Sequence, residues 1–198
     1  MEQTKSYHHG ALHEALLSAA ETILCRDGLA ALTLRATARE AGVSHGAPAY
    51  HFKDLSDLLS ELVAVGFERL TVAMQAAGQG RTGQFAAAAQ TYVAFAIGNA
   101  ALFQLMFRVE RLNAGHERLR AARAGAFAVI AEASAMPAGE LTPSQVGAMT
   151  AQWCLVQGFA SLAASGRLGP LLARAPEGMQ ESELLTLALE HLRPSESE

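Results

Sequence analysis

A chain of 198 residues, 51% of them apolar and 17% charged, can bury one good core or join a small domain to a larger one. Its two cysteines, Cys25 and Cys154, lie far apart with neither a CxxC pair nor metal-ligand spacing around them, which leaves no cysteine-based redox or metal site; both are expected to be buried apolar fillers in a reducing cytoplasm. The formal net charge is −4, and the opening MEQTKSYHHG holds no apolar run, so no secretory signal and a cytoplasmic location are expected.

β-Branched residues are few, and no Asn-Gly or Asp-Gly turn occurs, while Ala, Leu, Glu, Gln and Arg dominate; the fold is predicted to be all-α. Leu12, Leu16, Ala19, Ala20, Ile23 and Leu24 recur at helical spacing and Gly28 follows as a cap, which predicts a first helix over about 9–27. Thr33 is a good N-cap for a short helix carrying Leu34 and Ala38 that stops at Gly42. Ser44 is expected to cap another short helix running to about Phe52. A longer helix opens at Asp54 or Ser56, carries Leu58, Leu59, Leu62, Val65, Leu70 and Val72, and ends near Gly78-Gln79-Gly80.

The remainder breaks at Asn99, at Asn113-Ala114-Gly115, at Pro137-Ala138-Gly139 and across Gly166 to Gly178, giving about five further helices and an acidic, frayed end over 194–198. Residues 82–107 and 141–166 are uncharged and longer than the roughly 20 residues that span a bilayer. Their many Gln, Thr and Asn and their Ala-rich composition favour buried helices of a protein without a membrane partner. A helix apolar on nearly every side needs cover on both faces, and a second copy of the chain is the expected cover.

LTLRATAREAGVSHGAPAYHF, residues 32–52, meets the demands of a helix-turn-helix: Ala38 permits close helix approach, Gly42 lets the backbone turn, and Val43 and Pro48 supply apolar contacts beneath. On spacing alone an ordinary αα-corner remains the alternative. The order of the first helix, then T-x-R-x-x-A-x-x-A-G-V-S-x-G, then H-F resembles the TetR family of repressors, as do YHHGALHEALLSAA and GVSHGAPAYHF. NAALFQLMF at 99–107 and WCLVQG at 153–158 resemble the family's sensor domain named for a Trp-His-Gly motif, with Gln157 at the His position.

The resemblance implies a homodimer of about nine helices per subunit, with a three-helix DNA-binding head over 1–55 and a helical ligand-binding and dimerisation domain over 56–198. Its last two long helices would form a four-helix bundle with the partner. Two positions depart from the pattern: Ala49 stands where a phosphate-contacting Tyr is usual, with Tyr50 one place on, and Leu55 stands where a Lys is usual. Tyr50 is then expected to face bases, and Lys53 to replace the cation.

A recognition segment reads base edges with its first residues and phosphate with its N-terminus and cations. The expected DNA-binding residues are therefore Thr33, Arg35, Ser44, His45, Gly46, Ala47, Tyr50, His51 and Lys53, with His51 donating to phosphate. Charge tempers the picture: Lys5, Arg26, Arg35, Arg39 and Lys53 face Glu2, Glu14, Glu21, Asp27, Glu40 and Asp54 in residues 1–55, so positive potential is confined to 33–53. His9 and His13 are spaced i, i+4, but nothing nearby completes a metal site.

In the second half, Phe95, Phe103, Met106, Phe107, Met149, Trp153 and Gln157 are the expected ligand contacts, with Gln104 and Gln152 as further polar groups. Ala-rich helices leave room between them, and the lack of ionic residues points to a small, largely apolar or aromatic effector. No nucleophile with its base, no paired acids and no cofactor motif is found, so no enzyme is expected. The reading is a one-component regulator that binds a palindromic operator in double-stranded DNA; the alternatives are an all-α carrier or enzyme-like pocket protein without DNA binding, and a purely structural helical dimer.

Overall fold

The structure is a computed structural model that describes residues 3–78, 84–137 and 139–191, with residues 3–9 and 78 as backbone. The described residues form nine α-helices and no strand: α1 Gln3–Asp27, α2 Leu34–Glu40, α3 Leu55–Gly78, α4 Gln84–Gly98, α5 Ala100–Met106, α6 Glu117–Ala133, α7 Pro143–Ala164, α8 Gly169–Leu172 and α9 Glu181–Glu190. Short 3₁₀ helices stand at Leu29–Ala31, Ala47–Tyr50 and Val109–Arg111. The fold is all-α, as composition predicts. The Gln79-Gly80 loop, the 194–198 tail and the side chains of His8 and His9 lie outside what is described.

Packing divides the chain into two compact units, the first made of Met1–Glu68 with Ala101–Ala124 and the second of Arg69–Ala100 with Gly125–Glu198. The expected head, residues 1–55, lies wholly inside the first unit. Leu16, Ala20, Ile23 and Leu24 of α1, Ala38 of α2, Phe52, and Leu58, Leu59, Leu62 and Val63 of α3 are all buried there. Each buried leucine removes about 1.5–3 kcal/mol of apolar surface from water relative to an exposed one. The turns are set by glycine where a side chain would strain: Gly28 (φ 81°) ends α1 and donates to the Leu24 carbonyl, and Gly42 (φ 68°) ends α2 while the Val43 N–H reaches the Ala38 carbonyl.

Cys25 corrects an expectation: it is exposed, because Ile23 and Leu24 face inward on α1 and one further residue turns outward. Cys154 of α7 is exposed too.

In the second unit α4, α7 and α9 pack on one another. Tyr92, Val93 and Ala96 of α4, Val156, Phe159 and Ala160 of α7 and Leu185 of α9 form its core. Gln90 Nε2 donates to Thr186 Oγ1 at 3.1 Å, joining α4 to α9. Thr142 and Gln145 make a capping box at the start of α7, with Pro143 in its first turn. No single helix among the described residues is long and apolar enough to cross a membrane. The described part of the uncharged run, from Gln84 on, is two helices broken at Asn99, whose Nδ2 returns to the Phe95 carbonyl at 3.0 Å.

Helices α3 and α5 meet at Gly66, where a Cβ would stand 3.2 Å from both Leu102 Cδ2 and Met106 Sδ. Gly66→Val is therefore expected to destabilise the first unit by about 1–3 kcal/mol through overpacking, seen as a lower urea midpoint at an unchanged slope.

Candidate nucleic-acid interface and ligand cavity

The head's α2 is started by Thr33, whose Oγ1 accepts the Ala36 N–H at 3.0 Å. Arg35 and Arg39, one turn apart on α2, are exposed. The segment expected as an α-helix from Ser44 to Phe52 is instead a four-residue 3₁₀ helix, Ala47–Tyr50. Gly46 and Pro48 are poor α-helix formers, and the His51 and Phe52 N–H groups both fall back on the Pro48 carbonyl, at 2.9 and 2.8 Å. Gly46, not the expected Ser44, is the cap of this turn, and Ser44 contributes only its carbonyl, which accepts the Ala47 N–H at 3.0 Å. Ser44, His45 and Gly46 are exposed, and Ala47 is half-buried.

Phe52 anchors the segment at 1% exposure while Tyr50, two residues earlier, is 87% exposed. His51 is half-buried: its ring centroid lies 5.8 Å from that of His13, and its Nε2 is shielded from solvent. That placement favours packing over the phosphate contact expected for it. Lys53 is exposed, and its N–H donates to Asp57 Oδ2 at 3.1 Å. Asp54 caps α3, accepting from the Asp57 N–H at 2.9 Å and from Ser56 Oγ at 2.8 Å, and these bonds hold its carboxyl below the usual range.

Glu40 is the only acidic residue in 33–53, and the structure occupies it. Arg26 grips it with two bonds, Nη1 to Oε1 at 3.0 Å and Nη2 to Oε2 at 2.9 Å, and also holds Asp27. These hydrogen bonds from Arg26 keep the Glu40 and Asp27 carboxyls below their ordinary values. Arg35 and Lys53 form no salt bridge among the described residues, although Asp54 follows Lys53 and feels its charge.

The second unit holds a cavity of about 340 Å³ between α4, α6 and α7 and the segment that joins the last two. Of the seven expected ligand contacts, Met149, Trp153 and Gln157 line it. Phe95 does not, and Phe103, Met106 and Phe107 belong to the first unit, where Phe103 and Met106 are buried core and the Phe107 ring stands 5.0 Å from that of Phe103. Gln104 also lies in that unit, while Gln152 does line the cavity. Sequence reading missed Met74, Phe85, Tyr92 and Phe127. Phe85, Ala88, Ala89 and Tyr92 recur at i, i+3, i+4, i+7, a stripe that marks the inward face of α4. The Tyr92 hydroxyl donates to Gln157 Oε1, and burial pushes its phenol well up from the ordinary value. Among the described residues, no charged side chain lines the cavity.

Residues 16–62 match the profile of bacterial regulatory proteins of the tetR family, and residues 85–187 match that of the tetracyclin repressor-like C-terminal domain, without a Trp-His-Gly designation. A solved protein of unknown function from Rhodococcus sp. RHA1 is 34% identical, covers 94% of this chain and 95% of its own, and superposes with a TM-score of 0.72. A bacterial regulatory protein in the tetR family from Rhodococcus RHA1 is 20% identical over 91% of this chain and 94% of its own, at 0.63. A TetR-family transcriptional regulator from Haemophilus influenzae is 18% identical over 93% and 96%, at 0.61; these last two likenesses concern the fold alone. No curated protein matches the chain.

Asp27, Glu40 and Asp54 all titrate below their ordinary values in the folded head. Their contribution to stability is complete above the ordinary carboxylate range and is lost as pH falls through the lowered values. The unfolding midpoint is expected to hold steady from about pH 7 to 5 and to drop below about pH 4, with a shallower drop in Glu40→Gln, followed by circular dichroism.

Proposed function

This chain belongs to the TetR family of bacterial transcriptional regulators, and on that premise we propose that it is a cytoplasmic repressor which binds a palindromic operator as a homodimer and is released when a small, uncharged, largely apolar or aromatic ligand fills the cavity. The observation that carries the DNA-binding half is the recognition segment: Tyr50 stands 87% exposed on a short 3₁₀ turn anchored by the buried Phe52, in a segment flanked by the exposed Arg35 and Lys53. An aromatic ring this exposed gains nothing for folding and is available to stack on or bond to base edges. Thr33, Ser44, His45, Gly46 and Ala47 complete the DNA-facing set, and Met149, Trp153 and Gln157 with Tyr92 and Phe127 form the effector site.

Helix α7 supports the homodimer. It carries no charge over 22 residues and turns Cys154 and Leu162 to solvent, with Leu162 at 41% exposure. Gly147, Ala151 and Gly158 lie on the same exposed side. An isologous contact of two such faces explains an apolar surface that a monomer would leave wet.

Met74 of α3 and Phe127 of α6 line the cavity, while the first halves of these helices belong to the unit with the head. There Arg118 of α6 is bonded to Glu61 at 2.6 Å and to Glu68 at 2.8 Å on α3, and Asn113 N–H donates to Ser60 Oγ at 2.9 Å.

Selection from random duplex oligonucleotides is expected to enrich a palindrome whose half-sites are about one helical turn apart; no enrichment leaves the carrier reading in its place. Tyr50→Ala is expected to cost about 1–3 kcal/mol of operator binding with an unchanged unfolding midpoint, while Lys53→Ala weakens operator and scrambled DNA alike. Leu162→Glu places a charge in the proposed interface, and light scattering is expected to show a monomer that no longer binds the operator.

A further inference from the structure

The chemistry of the cavity wall narrows the effector further, an inference that rests on the effector reading of the preceding section. The wall is mostly apolar, contributed by aromatic rings and by Met74, Met136 and Met149, whose flexible thioethers accommodate varied shapes. Its polar groups are the amides of Gln152 and Gln157 and the hydroxyls of Tyr92, Ser134 and Thr150.

Several of these are already committed. Thr150 Oγ1 donates to the Val146 carbonyl at 2.7 Å, and the Tyr92 hydroxyl donates to Gln157 Oε1. The phenol stays protonated because burial raises its ionisation, so it holds the acceptor end of the amide and leaves the donor end, Nε2, to the cavity. Neither the Gln157 Nε2 nor the Gln152 amide has a hydrogen-bond partner among the described residues. The cavity thus offers amide donors in an apolar surround.

We propose that the cavity selects a neutral, two-ring-sized aromatic or alicyclic compound bearing one hydrogen-bond-accepting oxygen, such as a ketone, ester or lactone carbonyl, which takes its bond from Gln157 Nε2. Size supports the two-ring scale, since an apolar cavity of about 150 Å³ takes a benzene and this one holds about 340 Å³. Charge disfavours the alternatives: a carboxylate or ammonium entering here meets no counter-ion among the described residues and loses hydration. A plain hydrocarbon fills the space but strips water from the Gln157 N–H groups and leaves them unpaired. Tyr92 is then a positioning residue and Gln157 the residue that sets specificity.

The test uses three probes of one shape, 2-acetylnaphthalene, 2-ethylnaphthalene and 2-naphthoate, titrated into the full-length protein by calorimetry. Quenching of Trp153, the only tryptophan of the chain and a cavity residue, locates the binding. The ketone is expected to bind about tenfold tighter than the hydrocarbon, as one hydrogen bond allows, and the carboxylate weakest. Gln157→Leu, close in volume, is expected to reduce the ketone's advantage to less than about twofold while the hydrocarbon binds as well or better. Tyr92→Phe, which frees the amide to rotate while preserving the ring, is expected to reduce the advantage partly and serves if the first variant does not fold. Equal affinity of ketone and hydrocarbon, or an advantage that survives Gln157→Leu, overturns the assignment and leaves an apolar effector site standing. If none of the three binds or quenches Trp153, the effector reading of the cavity falls with it.

Discussion

The continuity of α3 is the constraint on which the rest of this molecule depends. Its 24 residues bury Leu58, Leu59, Leu62, Val63, Ala64 and Phe67 in the unit that contains the head, then Leu70 and Met74 in the unit that contains the cavity. A helix can serve two cores only if its apolar positions keep phase along its length, and α3 contains no proline. Gly66 lies in its middle, where its missing side chain admits Leu102 and Met106 of α5. The polar bonds follow from the same helix: Glu61 and Glu68 fix Arg118, Ser60 accepts the Asn113 N–H, and His116 Nε2 lies 3.3 Å from Glu61 Oε1.

Small residues decide the second unit. Ala88, Ala89 and Ala96 bring α4 close to its neighbours, yet where Phe85, Tyr92 and Trp153 must share a wall with alanines the space does not close. The result is a pocket of about 340 Å³ that opens to solvent beside Phe127 and Trp153, which are 55% and 41% exposed. The same economy appears on the surface of α7, where small and apolar groups face outward without a single charge.

The two exposed cysteines illustrate how far composition can mislead. A cysteine is among the most buried residue types on average, and nothing in a count of two says otherwise. Helical phase says more: Cys25 follows the inward pair Ile23 and Leu24, so the next residue of an α-helix turns away from their core.

Local chemistry was legible in the chain itself. The all-α class, the Thr33 cap, the reversal at Gly42 and the break at Asn99 each depend on one or two residues whose backbone preferences act over a few positions, so reading them needs no knowledge of the remainder. Arg35, Tyr50 and Lys53 were legible as exposed cationic and aromatic groups for the same reason. The tertiary structure decided which of two apolar groups belongs to which core: Phe103 and Met106 look like pocket residues beside Trp153 in sequence, but α5 returns to the first unit and buries them there, leaving Tyr92 and Phe127 to line the cavity. It also decided that Arg26 neutralises Glu40 from 14 positions away, and that Pro48 collects two N–H groups and tightens the recognition segment into a 3₁₀ turn. Apolar attraction has no direction and no sequence range, so the chain specifies that its leucines and phenylalanines will be buried, while only the closed fold assigns each of them a neighbour.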